Sequence, residues 1–380
     1  MFQDFVNRDA LDSLFAYTAV EVLVASSPKN VFYLTGSPTA IPDIHLLPWY
    51  TPSAASCGVA LVQPDGSSLL FVEEADLAVS RELAWAPVTT FDREDGSAIQ
   101  ALAAYLKAHG FEESIVGYES EGMTASACRE LRALLPRLRL TPVDEALDLM
   151  RSRKTPGEIA MIKRSADILD DAMIRAFSEA REGDTEWDLH SAILGNALEL
   201  GAEYCRGGLM IVEENGEPHK GVGERPIRYG DLIFADHATF LGGYPSNQSR
   251  HAIVGEASEE QARMYKITVD VERALIEYMR PGVTGRDVFL RCRELVAEYG
   301  MQHSAVIVGH SLGFGYQERP MITEDEGMAL RDGNIIAIEP MLPPTQRYTV
   351  QDLVLIREGG NVLLSDRFDT DELFVIEGRR

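Results

Sequence analysis

The chain has 380 residues, of which 45% are hydrophobic and 25% charged, the profile of a globular protein with about two domains. The net charge is -25, from 60 acids against 35 bases. A surface this negative repels phosphate backbones and anionic membranes, so nucleic acid and membrane partners are excluded. No run approaches the roughly 18 apolar residues that span a bilayer. The N-terminus has no apolar signal region, so the expected location is the cytoplasm. Cys57, Cys128, Cys205 and Cys292 are too scattered for a CxxC motif and read as reduced thiols, Cys205 among them as a buried residue rather than a nucleophile.

In chain order, Val20 to Ala25 and Val31 to Thr35 are expected as strands, the second ending at Gly36. The loop from Ser37 to Pro52 carries prolines, aromatics and His45, and reads as a pocket or dimer contact. Gly58 to Gln63 and Ser68 to Val72 form a hairpin around Pro64-Asp65-Gly66. Ala98 to His109 and Thr124 to Leu135 have helical spacing, with a strand at Ser114 to Tyr118 between them. The boundary falls near residue 150, giving domains 1–150 and 151–380. Thr155 followed by Pro156 then opens a long helix to about Glu182. Thr185 with Asp188, Ser258 with Gln261, and Thr284 with Asp287 open three more. Strands are expected at Leu209 to Glu213, Asp231 to Phe240, Gln248 to Val254, Asn334 to Glu339 and Val350 to Ile356, which makes the second domain α+β.

Four stretches of the second domain gather polar groups in apolar surroundings. They are Asn215 to His219, Gly230 to Asp236 continuing to Tyr244, Asn247, Ser249 and Arg250, then Gly309 to Pro320, and Ile335 to Pro340 followed by Gln351 and Asp352. Asp236 and Glu339 each end an apolar strand. A carboxylate there needs a partner, either an arginine such as Arg250 or Arg319 or a catalytic role. His310 lies in a glycine-rich loop and His219 in a turn.

Together these stretches resemble the pita-bread family of Xaa-Pro aminopeptidases, prolidases and methionine aminopeptidases, with creatinase as a metal-free member. Tyr33-Leu34-Thr35-Gly36 is similar to the YLTG of the creatinase/prolidase N-terminal domain. The resemblance implies an α+β pita-bread catalytic domain behind a creatinase-type α/β domain, and a homodimer. It places the five metal-ligand positions on Asp236, Asn247, His310, Glu339 and Gln351, a further catalytic histidine on Gln317, and a substrate-contacting histidine on His219. Two ligand positions therefore carry neutral amides, which do not offset the repulsion of two hard cations. Neighbours on a strand face opposite ways, so His237 and Asp352 do not make up the count.

The expectation drawn from this is a hydrolase with no metal cofactor that cleaves a C–N bond in a small amino-acid-like substrate. His219 acts as base, with Glu339, His310 and Asp236 beside it. Asn247, Arg250, Gln317, Gln351 and Tyr244 bind the substrate. Creatinase is similar at His219 and Glu339, but Ser249 replaces its second substrate-binding Glu. The alternatives are a peptidase with a single divalent ion on Asp236, His310 and Glu339, a lyase acting on a small zwitterion, and a non-catalytic binding protein.

Overall fold

Short capped helices alternate with strands through the first 152 residues. The computed structural model describes residues 5–37, 58–92, 96–212, 222–343 and 348–378. The chain divides into two compact units, Met1–Arg151 and Ser152–Arg380. Up to Ser152 the elements are α1 (Arg8–Tyr17), β1 (Val22–Ala25), α2 (Pro28–Thr35), β2 (Val59–Val62), β3 (Ser68–Glu73), α3 (Leu77–Leu83), β4 (Val88–Phe91), α4 (Ala98–Ala108), β5 (Ile115–Tyr118), α5 (Ala125–Leu134), β6 (Arg139–Pro142) and α6 (Asp144–Ser152). The strands form one mixed sheet in the order β4-β3-β2-β1-β5-β6. Alternation along β1 sends Leu23 and Ala25 to one core, with Leu11, Leu14, Val31 and Leu34. Val22 and Val24 go to the other, with Leu102, Leu106 and Leu131.

The expected strand at Val31 to Thr35 is instead the helix α2. Ser27 caps it by accepting from the Asn30 N–H, and Pro28 takes the first turn, where its missing N–H costs nothing. Gly36 ends it in the left-handed region at φ 71°. Every residue from Asn30 to Thr35 is buried, so the apolar run carries no periodicity that separates a buried strand from a buried helix.

The second unit contains α7 (Pro156–Glu179), α8 (Glu186–Glu199), β7 (Tyr204–Ile211), β8 (Leu232–Leu241), β9 (Tyr244–Pro245), β10 (Gln248–Val254), α9 (Glu259–Tyr278), α10 (Gly285–Glu298), β11 (Ile307–Ser311), β12 (Glu318–Thr323), β13 (Ile335–Ile338), β14 (Asp352–Leu355), β15 (Val362–Leu363) and β16 (Phe374–Ile376). One sheet runs β16-β10-β8-β7 with β9 paired to β8, and the other runs β12-β11-β13-β14-β15. An antiparallel bridge between Ser249 and Gln351 joins them. Helices α7 and α8 pack Leu169, Met173, Leu189 and Ile193 against Leu209, Ile233, Ala235 and Ala252 of the first sheet. Helices α9 and α10 bring Val271, Leu275, Val288 and Cys292 to Ile336, Ile338 and Val354 of the second. All four helices open with a capping box, at Thr155/Glu158, Thr185/Asp188, Ser258/Gln261 and Thr284/Asp287. Among the described residues, no helix is long and apolar enough to cross a membrane.

Arg250 corrects the expectation that it lines a substrate pocket. Its side chain is wholly buried and hydrogen-bonds Asp170 of α7 at 2.9 Å and Asp352 of β14 at 2.8 Å. It also donates to the backbone carbonyls of Ser249 and Gln351 at 3.1 and 2.8 Å. The physical reason is strand parity. Arg250 follows Ser249 and Asp352 follows Gln351, so both turn away from the face that their predecessors share. Burial, and then the neighbouring Asp352, raise the Glu272 carboxyl well above its ordinary value beside the ion pair.

Two stability measurements follow from these buried charges. Arg250→Ala strands Asp170 and Asp352 without their counter-charge, and is expected to cost about 3 to 5 kcal/mol in urea denaturation. Glu158 is fully buried, and burial moves its carboxyl from 4.5 to about 7 against the opposing Thr155 N–H and Lys154 charge. Between those values the folded chain binds the proton more tightly than the unfolded chain, so stability falls as pH rises through this window and levels off above it. Glu158→Gln keeps an acceptor for the Thr155 cap and removes the ionisation. It is expected to add about 3 kcal/mol above the window and to flatten the slope within it.

Candidate active site

Strand register places the candidate residues. On the first sheet Asp236 lies opposite Gly208 of β7 and Ser249 of β10, while Arg206 lies opposite Ala238. Directly opposed side chains share a face, and so do residues two apart. Arg206, Gly208, Asp236 and Ser249 therefore share one face. On the second sheet His310 lies opposite Ala337, and Ala337 opposite Leu353. Glu339 and Gln351, each two residues along, fall on that same face. The Ser249–Gln351 bridge joins the two faces. His310 sits on strand β11 rather than in the expected loop. Gly309 before it is required by close packing, since a Cβ there would come within 2.4 Å of the Ala337 carbonyl.

The amides form a directed chain of hydrogen bonds. Ser249 Oγ donates to Gln351 Oε1 at 3.3 Å. Gln351 Nε2 donates to Asn247 Oδ1 at 3.0 Å. Asn247 Nδ2 donates to Asp236 Oδ1 at 3.1 Å. An amide N–H thus stands against the Asp236 carboxylate on this side. Asn247, Ser249 and Gln351 are buried, whereas Asp236 and Glu339 are partly exposed. Burial, and then the charge of Asp236, push Glu339 up to about 8. Burial lowers His310 to about 4, so its ring is neutral at physiological pH. Its Nδ1 lies 3.0 Å from the Ser311 carbonyl, which fixes the proton there and leaves Nε2 with a free lone pair.

The donor set separates one cation from two. Two hard carboxylates and a neutral imidazole nitrogen suit a single divalent ion. A pair requires anions at Asn247 and Gln351, where the chain has amides already hydrogen-bonded to each other. Among the described residues, no group of three His, Cys, Asp or Glu side chains is gathered closely enough to hold an ion as it stands.

Other expected residues lie elsewhere. Tyr244 is 1% exposed, its ring edge-on to Phe314 and its hydroxyl 3.4 Å from Glu158, so it is a core residue and not a pocket wall. Gln317 is exposed. His237 turns to the opposite face from Asp236 and pairs with His190 at 3.0 Å. Cys205 is buried, and burial pushes its thiol up to about 12, far from a reactive thiolate. His219 and residues 38–52 of the expected pocket loop lie outside the described residues.

Three further residues adjoin these candidates: Arg206 and Gly208 lie outside the four polar stretches, and Tyr316 lies inside one without being singled out. Gly208 leaves open space beside Asp236, because among the described residues nothing lies within 4 Å of where its Cβ would be. Its neighbour Gly207 is different, for a Cβ there would strike the Asp236 carbonyl at 2.3 Å. Arg206 and Tyr316 stack with the guanidinium carbon 4.4 Å from the ring centroid. The Tyr316 ring lies 5.8 Å from that of His310. The Arg206-Gly207-Gly208 run holds the only legible signal, as alternation on a strand pairs Arg206 with Gly208.

The sequence model of Metallopeptidase family M24 matches residues 160–358, and that of the Creatinase/Prolidase N-terminal domain matches residues 8–153. An Xaa-Pro dipeptidase of Pyrococcus horikoshii is 26% identical over 371 residues, 95% of each chain. A probable dipeptidase, PepE, of Mycobacterium tuberculosis is 27% identical over 250 residues, 61% of this chain and 66% of that one. Among solved structures, an X-Pro aminopeptidase from Thermotoga maritima has a TM-score of 0.81 at 18% identity, covering 95% of this chain and 99% of that one. The prolidase from Pyrococcus horikoshii has a TM-score of 0.77 at 22% identity, covering 96% and 98%.

These matches overturn the expectation of a metal-independent enzyme without a cofactor, because the family that covers the catalytic half is one of metallopeptidases. The hydrolase reading stands, and the pita-bread architecture stands with it. With half its length matched to the catalytic model and most of the remainder to the N-terminal one, this chain belongs to Metallopeptidase family M24.

Proposed function

We propose that the chain is a divalent-metal-dependent hydrolase of small Xaa-Pro-type peptides, with one ion held by Asp236, His310 and Glu339. The observation that carries this is the match over 95% of both chains to an Xaa-Pro dipeptidase, joined to a face that offers two carboxylates and a neutral imidazole. When bound, a divalent ion supplies Lewis-acid polarisation of the scissile carbonyl and activation of water. The rest is done by the chain. His310 offers Nε2 because its Nδ1 proton is held by the Ser311 carbonyl. The Asn247–Gln351 chain orients Asp236 by donating to one of its oxygens. Gly208 leaves room for a substrate beside that carboxylate. The sequence resemblance adds His219 as a substrate contact.

Titration of the chelator-stripped protein with Mn²⁺ in a calorimeter is expected to show one site per chain. Glu339→Gln and His310→Ala should each weaken it by about 10-fold to 100-fold or more. Proline release from the dipeptide Ala-Pro should require the ion. The double substitution Asn247→Asp with Gln351→Glu should create a second site. Two ions bound by the unaltered chain would overturn the single-ion part of the reading, and no ion with no Ala-Pro cleavage would overturn the whole.

A further inference from the structure

The turn between β11 and β12 holds Tyr316 half-buried beside the His310 ring and leaves the next residue, Gln317, exposed. The turn is built to hold that choice. Glu318 is 7% exposed, its Oε1 accepts from the Gly315 N–H at 2.9 Å, and its Oε2 lies 3.8 Å from the buried Lys154 ammonium. Lys154 also donates to Ser311 Oγ at 3.1 Å, which ties the turn back to the strand that carries His310. Gly313 and Gly315 are needed because a Cβ on either would come within 2.6 and 2.9 Å of the Glu318 side chain. The glycine-rich pattern around His310 is therefore a clamp around one buried carboxylate.

What the clamp presents is a phenol. The Tyr316 ring lies 5.8 Å from His310 and 6.4 Å from Phe240, and the Arg206 guanidinium covers its face at 4.4 Å. Arg206 also hydrogen-bonds Tyr316, and the charges of Asp236 and Glu339 both reach it. Tyr316 thus lies beside the His310 ring and within electrostatic reach of Asp236 and Glu339. A phenol ordinarily keeps its proton to about pH 10, so at neutral pH it is a donor.

We propose that Tyr316 is a catalytic residue that donates a hydrogen bond from its hydroxyl to the carbonyl oxygen under attack, and that Arg206 is its positioning residue. The inference rests on the hydrolase reading above. As water adds to the carbonyl carbon, the C–O π pair moves onto the oxygen, and a fixed donor at that oxygen stabilises the charge that develops. Collapse returns that pair and breaks the C–N bond, and the departing amine takes a proton derived from the water. Tyr316 holds its proton throughout. The Arg206 guanidinium over the ring holds the phenol in place, so little reorganisation is needed.

The test uses the full chain loaded with Mn²⁺ and Ala-Pro as substrate. Tyr316→Phe is expected to lower kcat on the order of 100-fold, with KM within about 2-fold and Mn²⁺ content and melting temperature unchanged. Arg206→Gln should lower kcat by a smaller factor with the same KM pattern, and Arg206→Lys should recover part of the loss by restoring a cation over the ring. Tyr316→Phe with full kcat would overturn the inference alone, as would a loss confined to KM or to Mn²⁺ content. Absence of turnover by the unaltered chain would overturn the hydrolase reading, and this inference with it.

Discussion

The guanidinium of Arg250 is the joint on which the catalytic unit depends. It is fully buried and reaches Asp170 on the long helix α7, Asp352 on β14, and the backbone carbonyls of Ser249, Gln351 and Ser365. One side chain thus binds a helix, two sheets and the C-terminal segment. A buried ion of this kind contributes less net stability than its contacts imply, because taking three charges out of water is itself costly. Its contribution is to register. Asp170 also accepts from Gln248 Nε2 at 3.0 Å, so the same carboxylate grips two residues of β10.

Register matters here because the candidate site is written in alternate residues. Asp236 precedes His237, Ser249 precedes Arg250, and Gln351 precedes Asp352. In each pair the second residue is anchored away from the site: His237 to His190, Arg250 to Asp170, and Asp352 to Arg250 and Ser365. A slip of one residue would exchange the two sets and leave a buried guanidinium facing the pocket. The anchors exclude that slip, and so fix which residues face the candidate site. His237 Nδ1 is less well served, a buried ring nitrogen without a hydrogen-bond partner among the described residues.

Much of this was legible in the sequence, and the failures have particular causes. Capping boxes are local, so Thr155, Thr185, Ser258 and Thr284 could be read from residues three apart. Strand alternation is local too, which is why His237 and Asp352 were set aside correctly from parity alone. The same rule, applied to Ser249 and Arg250, would have removed Arg250 from the pocket; a basic residue in a motif was read as functional when its parity made it structural. Tyr316 and Gln317 show the opposite limit. Which of two neighbours in a turn faces inward is decided by the Glu318–Lys154 clamp, a contact between residues more than 150 positions apart, and no local pattern encodes it. The α2 helix failed for a third reason, since a segment buried on all sides has no polar face to reveal its period.

The two amides are best understood through the charge of the site they complete. Burial, and then the charge of Asp236, already raise the Glu339 carboxyl to about 8 with only those two acids present. Adding acids at Asn247 and Gln351 would place four carboxylates around one face, which could ionise together only if two cations offset them. With amides, the Ser249–Gln351–Asn247 chain of hydrogen bonds accompanies the bridge between the two sheets without added charge. The amides thus reduce the negative charge of the face while keeping the shape that acids would impose. That shape delivers one N–H to Asp236 and joins the two sheets at Ser249 and Gln351 without placing a further charge on the face.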